Sequence, residues 1–366
     1  MGIILGDIEI SSMFIGDTEV STVYYGNEKA YENYIDEERQ YLTFVPVSDA
    51  TFTWTNHANS GSLYYSLNNG STWTALGDGE STPMITAGKK ILWKGDSFNP
   101  SYDGIGTFSS DADYNASGNI MSLLYGDDFY TNDKSIRVEN AFESLFNGDT
   151  HILTPPLLPA ISLSRSCYTN MFYGCTNLVT APELPATTLA FYCYNAMFRG
   201  CTSLTTAPEL PATTLANYCY GNMFYGCTSL TTAPELPATT LKYGCYAAMF
   251  YECASLTIVP KLPATTLQTE CYSRMFYKCT SITTAPELPA KTLVKDCYTA
   301  MFCGCAKLNY IKCLATNPTT GTRVPTTYWV LNIPSKGTFV KAAGVNWSED
   351  YQEGSGKPYG WTVVDA

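Results

Sequence analysis

A 26-residue period in the second half of the chain constrains its fold more than any other feature. The stretch CTSLTTAPELPATTLANYCYGNMFYG, which begins at Cys201, is followed from Cys227 by a near copy of itself. Neither copy is long enough to bury its own apolar residues, so neighbouring copies must cover one another. The period therefore predicts a solenoid in which each copy stacks on the next.

Two cysteines, eight residues apart, mark each of six copies. The first recurs at Cys167, Cys193, Cys219, Cys245, Cys271 and Cys297, and the second at Cys175, Cys201, Cys227, Cys253, Cys279 and Cys305. A degraded copy lies upstream at 141–163, where Ala141 and Asp149 replace the cysteines. An atypical first unit is characteristic of a capping repeat. We predict about seven units over residues 136–313 and a C-terminal cap over 314–366.

Within each copy, the constant residues are spaced as they would be on one face of a helix. In TTLAFYCYNAMFRGC at 187–201 they fall in one half of a helical wheel: Leu189, Cys193, Tyr194, Met197, Phe198 and Cys201. The remaining SLTTAPELPA is too short and too rich in proline for a second helix, so it is predicted to be extended. Because strands pack ~4.8 Å apart and helices ~8 to 10 Å apart, the predicted stack curves with its helices outside.

The cysteines and the constant aromatic residues are interpreted as rows in the core. On a helix, residues eight apart are separated by ~12 Å, beyond the reach of a disulfide. Bridges between copies stay open as an alternative, but a buried thiol is also a compact apolar filler. The predicted core rows contain Cys193, Cys201, Cys219, Cys227, Cys245, Cys253, Cys271, Cys279, Met197 and Phe198.

The outward positions change from copy to copy, which is how repeat proteins build broad binding surfaces. The position after the constant Met-Phe pair and the three positions before the first cysteine vary most. The residues predicted to bind a ligand are Tyr173, Tyr192, Arg199, Tyr218, Tyr225, Tyr243, Tyr251 and Tyr277.

The first third of the chain is predicted to be β-structure. Residues 1–38 repeat ILGDIEIS and FIGDTEVS, with turn signals at Gly6, Gly16 and Gly26, and are predicted to form a β-meander that attaches to a partner. Residues 41 to about 100 alternate with period two between turn signals, and residues 101–135 are rich in Gly, Ser and Asp. Residues 39–135 are therefore predicted to be a β-sandwich-like domain plus a connection. Trp54 and Trp93 are expected to pack in that domain together with Trp73.

Nothing local indicates catalysis. The chain has two histidines, His57 and His151, in different predicted domains, and no phosphate-binding loop or metalloprotease motif. The segment DADYNASG at 111–118 spaces oxygen ligands like a calcium loop but lacks the central glycine and the closing glutamate, so we interpret it as a polar loop. A zinc site at Cys303, Cys305 and Cys313 has too few ligands to be favoured. We expect no enzyme, no cofactor and no metal.

The same composition limits the partners. A net charge of −12 argues against nucleic acid, and the absence of an 18-residue apolar run argues against insertion into a membrane. The opening MGIILGDIEI has no basic region followed by a long apolar stretch, so we expect synthesis in a cytoplasm without secretion.

The units MFYGCTSLTTAPELPATTL resemble the BspA-like leucine-rich repeats found in surface and phage-encoded proteins of gut bacteria. The resemblance covers 141–313 and implies an α/β leucine-rich-repeat-type solenoid. Ala207 and Pro208 stand where a leucine-bearing strand is usual, which argues against a regular parallel sheet. The ten-residue LGDIEIS and IGDTEVS repeats resemble N-terminal segments of phage tail and fibre proteins.

Together the resemblances imply a non-enzymatic tail-fibre or receptor-binding protein of a phage that infects gut Bacteroidales. Its N-terminus would attach to tail or baseplate proteins and its repeats to a glycan or protein of the host surface. We expect it in the virion, assembled in the host cytoplasm, with a homo-oligomer such as a trimer as one arrangement. The alternatives are a surface-polysaccharide depolymerase, a bacterial surface adhesin and a structural virion protein.

Overall fold

The computed structural model describes residues 39–318, 324–349 and 354–366, together with the backbone of six short strands between residues 3 and 32. It is built mostly of strands, in several sheets, with few helices. The described helices are α1 (Ser122–Tyr125), α2 (Phe129–Asn132) and one 3₁₀ turn between them at Gly126–Asp128. None of the helices in these ranges has the length and apolar character needed to cross a membrane.

The N-terminal strands form three antiparallel hairpins. Strand β1 (Ile3–Leu5) pairs with β2 (Ile8–Ile10), β3 (Phe14–Ile15) with β4 (Thr18–Glu19), and β5 (Thr22–Tyr25) with β6 (Glu28–Glu32). The glycine-containing dipeptides predicted to turn lie outside the described residues. Among the strands described here, each pairs only with its hairpin partner, so separate hairpins are observed in place of the continuous meander predicted.

Two further sheets follow. Their strands are β7 (Leu42–Pro46), β8 (Phe52–Asn56), β9 (Ser60–Ser66), β10 (Thr74–Leu76), β11 (Ile91–Asn99), β12 (Gly106–Ser110), β13 (Tyr114–Ser117) and β14 (Ile152–Thr154). The larger sheet has the order β10-β9-β11-β7-β13-β14, and β12 pairs with β8 in a second sheet. The two sheets meet through aromatic rings, since the ring of Phe44 lies 5.3 Å from Phe52 and 5.1 Å from Phe108.

The three tryptophans of this region differ in burial. Trp54 and Trp93 are almost fully buried and contact Phe108 at ring distances of 4.8 and 4.9 Å. Trp73 is partly exposed and packs its ring against Tyr41 at 5.0 Å. All three therefore pack on the sheets, but only Trp73 also reaches the surface.

The larger sheet crosses the boundary predicted between residues 135 and 136. Strand β14 belongs to the degraded first copy, and it pairs in parallel with β13. The backbone N–H of Phe108 also donates to the carbonyl of Leu145, at 2.8 Å, and that of Ile120 to Leu157, at 3.2 Å. The first copy therefore joins the β region to the remaining copies, through these hydrogen bonds and through one continuous hydrophobic core.

The prediction of a helix in each copy is wrong. In residues 187–201 the N–H groups of alternate residues donate to carbonyls three residues earlier, as Met197 does to Tyr194. The N–H groups between them donate to the next copy, as Tyr194 does to Cys219, at 3.0 Å, and Phe198 to Met223, at 2.9 Å. The segment is thus a series of turns whose remaining donors bind the neighbouring copy.

Left-handed residues explain why these segments cannot be α-helices. Every fourth residue has a positive φ: 59° at Tyr192, 52° at Ala196 and 77° at Gly200. A residue in this conformation ends a right-handed helix, and it strains any side chain with a Cβ by ~1 to 2 kcal/mol. The hydrogen bonds to the neighbouring copy stabilise the conformation. The α component of the predicted solenoid is therefore absent from the described copies.

The proline-rich part of each copy is extended but makes only isolated parallel bridges. Thr206 bridges Thr180 and Thr232 in the adjacent copies, and Thr240 bridges Thr214 and Thr266. Proline lacks an N–H to donate, so the bridges do not extend into ladders.

The described end of the array is covered by a small parallel sheet and a tryptophan. Strands β15 (Tyr310–Cys313), β16 (Thr338–Lys341) and β17 (Thr362–Asp365) pair in chain order. The buried ring of Trp329 stacks over Tyr298 at 6.4 Å, and its indole N–H donates to the carbonyl of Gly356 at 2.7 Å.

Candidate binding surface on the repeat array

The surface rests on two rows of stacked rings inside the array, here called the inner rows. The tyrosine row contains Tyr168, Tyr194, Tyr220, Tyr246, Tyr272 and Tyr298, and the phenylalanine row contains Phe146, Phe172, Phe198, Phe224, Phe250, Phe276 and Phe302. Phe198 and Phe224 are typical neighbours, with centroids 5.7 Å apart and planes within 6°. These residues are at most 1% exposed, which fixes the copies rigidly relative to one another.

The cysteines lie in the same interior, and all fourteen are free thiols. The second cysteine of each copy donates its S–H to the phenylalanine carbonyl of the preceding copy, as Cys227 does to Phe198, at 3.0 Å. Burial raises the pKa of the Cys201 thiol to about 12, so the proton needed for this hydrogen bond is retained at neutral pH. The second cysteine thus adds a bond between copies as well as filling space.

Five of the predicted binding residues form one line on the outside, here called the outer column: Tyr173, Arg199, Tyr225, Tyr251 and Tyr277. The rings of Tyr225 and Tyr251 stack at 4.2 Å, and those of Tyr251 and Tyr277 at 4.4 Å. Tyr173 is 38% exposed. Because the tyrosine faces cover one another, the column presents ring edges and hydroxyl groups to solvent.

The other three predicted residues gather in a second group, here called the side cluster. The rings of Tyr192 and Tyr218 stack at 5.0 Å, and Tyr243 meets Tyr218 edge-on at 5.0 Å. Two residues that the sequence analysis did not single out complete it. Phe191 contacts the ring of Tyr192 at 4.1 Å, and Glu270 accepts hydrogen bonds from the hydroxyls of Tyr218, at 3.2 Å, and Tyr243, at 2.9 Å.

The 26-residue period could have predicted that Phe191 and Glu270 lie in the side cluster. Phe191 and Glu270 occupy the variable positions just before the first cysteine, which the 26-residue register places beside Tyr192 and Tyr218. A carboxylate in such a register is a natural acceptor for a neighbouring phenol. Burial and the hydrogen bonds among these groups raise the pKa of Tyr218, so its hydroxyl stays protonated.

The outer surface of the turns, here called the turn face, carries an excess of positive charge. Each turn segment is taken as the twelve residues that end at the second cysteine of a copy. Between residues 164 and 305 these segments contain six bases and three acids, a net charge of +3 in a protein whose total is −12. The bases are Arg165, Arg199, Lys242, Arg274, Lys278 and Lys295, and the acids are Glu252, Glu270 and Asp296. Lys278 pairs with Glu252 at 3.0 Å. The turn face is therefore electrostatically distinct from the rest of the chain.

A separate groove of about 590 Å³ lies in the β region, beside Trp73, Lys94 and Asp127. Lys94 lies over the Trp73 ring at 4.5 Å and donates to Asp127 at 2.8 Å. Hydrogen bonds from Lys94 and from Tyr41 hold the pKa of Asp127 below its ordinary value. Asp127 is thus a paired carboxylate and is not poised to donate a proton. No local motif in the sequence indicates this groove.

The carboxylates of the calcium-like segment point to different partners. Asp111 accepts hydrogen bonds from the backbone and side chain of Thr51, at 2.7 and 2.8 Å, whereas Asp113 pairs with His151 at 2.9 Å. Within the described ranges no cluster of three or more histidine, cysteine or acidic side chains could hold a metal ion. The two histidines lie apart, since His57 contacts the backbone of Asp103.

Comparisons with family models, with curated proteins and with solved structures find no match to this chain.

Proposed function

We propose that this protein is a non-enzymatic tail-fibre or receptor-binding protein of a phage virion, and that it attaches the particle to the surface of its bacterial host. In this proposal the array is a leucine-rich-repeat-type solenoid of about seven units, and the turn face is its binding surface. The hairpins of the N-terminus attach to tail or baseplate proteins, and a β-sandwich-like domain separates the two ends.

The observation that carries the proposal is the contrast between the inner rows and the outer column within the same copies. The inner rows are identical and buried, whereas the exposed positions vary and still align into columns of aromatic and charged side chains. Aromatic residues and arginine dominate the binding energy of protein interfaces. A rigid scaffold with a variable aromatic surface is suited to recognition.

The regular contacts between copies support the solenoid. Hydrogen bonds join residues 25 positions apart throughout the array, as between Ala196 and Gly221 or Gly200 and Tyr225. Each copy therefore presents its outward residues at nearly the same orientation as the one before it. Several copies of the protein on one particle would then multiply weak contacts into firm attachment.

The test uses the full chain and intact cells of gut Bacteroidales strains. Fluorescently labelled protein is incubated with cells and with their isolated capsular glycan, and retention and glycan cleavage are measured together. The proposal predicts retention without cleavage on at least one strain. A Tyr225→Ala, Tyr251→Ala double variant should lose retention while staying folded, as judged by circular dichroism at the temperature of the binding assay. Failure to bind any strain counts against the proposal.

Surface-polysaccharide depolymerisation is the second candidate, because of one carboxyl group. Burial, assisted by the nearby charge of Asp103, raises the pKa of Glu143 to about 7. A carboxyl group with a raised pKa is what glycosidases use as their general acid. Cleavage of the glycan by the wild type, and its loss in Glu143→Gln, would favour this enzyme over the non-enzymatic role.

A further inference from the structure

Arg199 differs from the other bases of the turn face because two aromatic rings lie over its guanidinium group. The central guanidinium carbon lies 5.5 Å from the ring centre of Tyr173 and 4.2 Å from that of Tyr225. No carboxylate of the described residues forms an ion pair with it. Its neighbours in the outer column are neutral phenols, so its charge is not neutralised within the array.

Among the described residues, none accepts a hydrogen bond from the guanidinium group of Arg199. All five N–H donors of arginine lie in the plane of the group, so stacking covers its faces and leaves the donors available. A carboxylate can accept two parallel hydrogen bonds from such an edge. Because Tyr173 and Tyr225 already restrict the side chain, less conformational entropy is lost when an anion binds.

The surroundings favour an anion over a neutral ligand. The turn face has a net charge of +3, and Arg274 and Lys242 are further exposed bases on it that make no ion pair with a described carboxylate. The remainder of the protein is acidic and would repel an anion from other surfaces. Charge complementarity therefore directs an anionic ligand to the turn face.

The spacing of the copies favours a glycan over an acidic peptide. The stacked rings of the outer column recur every 4.2 to 4.4 Å, whereas side chains on one face of an extended peptide recur every ~6.8 Å and would lose register with the copies. In a linear glycan, successive sugar rings follow one another at a shorter interval than this, and so lie nearer to the spacing of the copies. The tyrosine hydroxyls that follow Arg199, on Tyr225, Tyr251 and Tyr277, can then bind successive sugar hydroxyls.

We infer that Arg199 binds the carboxylate of an acidic sugar, in a linear glycan that lies along the outer column. This inference rests on the proposed function and names its ligand class. The carboxylate accepts the two guanidinium N–H bonds, and the following sugar units contact the phenol hydroxyls. Arg199 thus sets the preference for acidic over neutral glycans.

The test compares two forms of one ligand. Acidic capsular polysaccharide is purified from a strain that retains the protein, and half of it is treated so that each carboxyl group is reduced to a primary alcohol. Wild-type protein should bind the native form about tenfold or more tightly than the reduced form, since a hydrogen-bonded charge pair contributes roughly that difference. Equal binding of both forms overturns the inference.

Three variants locate the effect. Arg199→Gln should weaken binding of the native glycan by about tenfold and leave binding of the reduced glycan unchanged. Arg199→Lys keeps the charge but loses the paired donors and should weaken binding less. Arg274→Gln is the matched control, since it removes an exposed positive charge over which no described aromatic ring stacks. A loss as large in Arg274→Gln as in Arg199→Gln would show general attraction and overturn the assigned role.

The outcomes separate the inference from the proposed function. Retention on cells that does not depend on carboxylates, or on Arg199, leaves the attachment role intact and removes the acidic-sugar assignment. A preference for phosphate-bearing glycans, or displacement by an acidic peptide better than by the polysaccharide, also removes it. Failure of the wild type to bind any cells counts against the attachment role itself. Circular dichroism and the unfolding midpoint of each variant exclude misfolding as the cause.

Discussion

The inner rows and the outer column are built from the same copies at the same spacing, yet they follow opposite rules. Every described copy places a phenylalanine in the buried phenylalanine row, whereas the outer column contains four tyrosines and one arginine, and the next copy has Cys303 at that position. Only the inner rows must transmit contact from one copy to the next without a gap. The comparison shows that identity in this array follows the packing, while variation is confined to the exposed positions that we propose bind a ligand.

The largest effect is expected from alkaline pH, which should ionise the buried cysteines that lie beside the inner rows and unfold the array. Burial raises the pKa of the Cys201, Cys227 and Cys253 thiols above the ordinary value of 9.0. A group with a raised pKa in the folded state keeps its contribution below pH 9 and loses it as pH rises, because the unfolded chain releases the proton first. At pH 10 each such thiol costs about 1 kcal/mol, and the array has twelve in its two regular positions.

We therefore expect cooperative unfolding between about pH 9 and 11, since a typical protein is stable by only ~5 to 15 kcal/mol. Circular dichroism followed against pH checks this. Replacing several row cysteines with alanine should move the midpoint to higher pH at equal starting stability. If the protein keeps its native spectrum at pH 11, the expected cost of ionising the buried cysteines is contradicted.

A single ring removed from the inner rows should cost more than a neighbouring ring removed from the outer column. Phe224→Ala opens a cavity between Phe198 and Phe250 and should lower the free energy of unfolding by ~3 to 5 kcal/mol. Its chain neighbour provides the matched control, because Tyr225→Ala removes a ring on the outside and should cost less than ~1.5 kcal/mol. Urea titration measures both, and similar losses would erase the distinction between rows and column.

A glycine substitution distinguishes turns from helices directly. Ala248 has a φ of 52°, where an L residue is strained and glycine is not. Ala248→Gly should therefore stabilise the array by about 0.5 to 1 kcal/mol. In a helix the same change would destabilise by ~1 kcal/mol, so the sign of the shift decides between the two conformations. Ala247→Gly, one residue earlier and without a positive φ, is the control and should not stabilise.

The smallest effect on stability is expected in the side cluster. Tyr243→Phe removes the hydroxyl that donates to Glu270 at 2.9 Å on an exposed surface. The free energy of unfolding should change by less than ~1 kcal/mol, because solvent can replace this bond. If the side cluster takes part in binding, retention on host cells should fall while the urea midpoint stays nearly constant. A loss of stability comparable to that of Phe224→Ala would place this tyrosine with the inner rows.

The sequence identified which residues face inward but not the backbone that turns them there. Leu189, Cys193, Met197 and Cys201 are four residues apart, and over so short a stretch a period of 4 cannot be distinguished from the helical period of 3.6. The left-handed residue at Tyr192 is stabilised by a hydrogen bond to Asn217 in the next copy. Since such a partner is 25 residues away, local propensity does not reveal it.

The surface was predictable to the extent that it follows the period. The 26-residue register alone aligned Tyr225, Tyr251 and Tyr277, and the structure places them in one line. The groove beside Trp73 and Lys94 was not predictable, because a bulge in β11 and the short helical turn at Gly126–Asp128 bring together residues with no common spacing. Pairing of β14 with β13 likewise depends on contacts across the whole β region.

The hydrogen bonds that each turn segment donates to its successor make the layers interchangeable. The stretch CTSLTTAPELPATTL occurs identically from Cys201 and from Cys227, so either unit presents the same residues to its neighbours over this stretch. Loss or gain of one whole unit would rejoin matching donors and acceptors and leave both ends of the protein unchanged. The length of the array can therefore change by one unit at a time while every contact between units stays of the same kind.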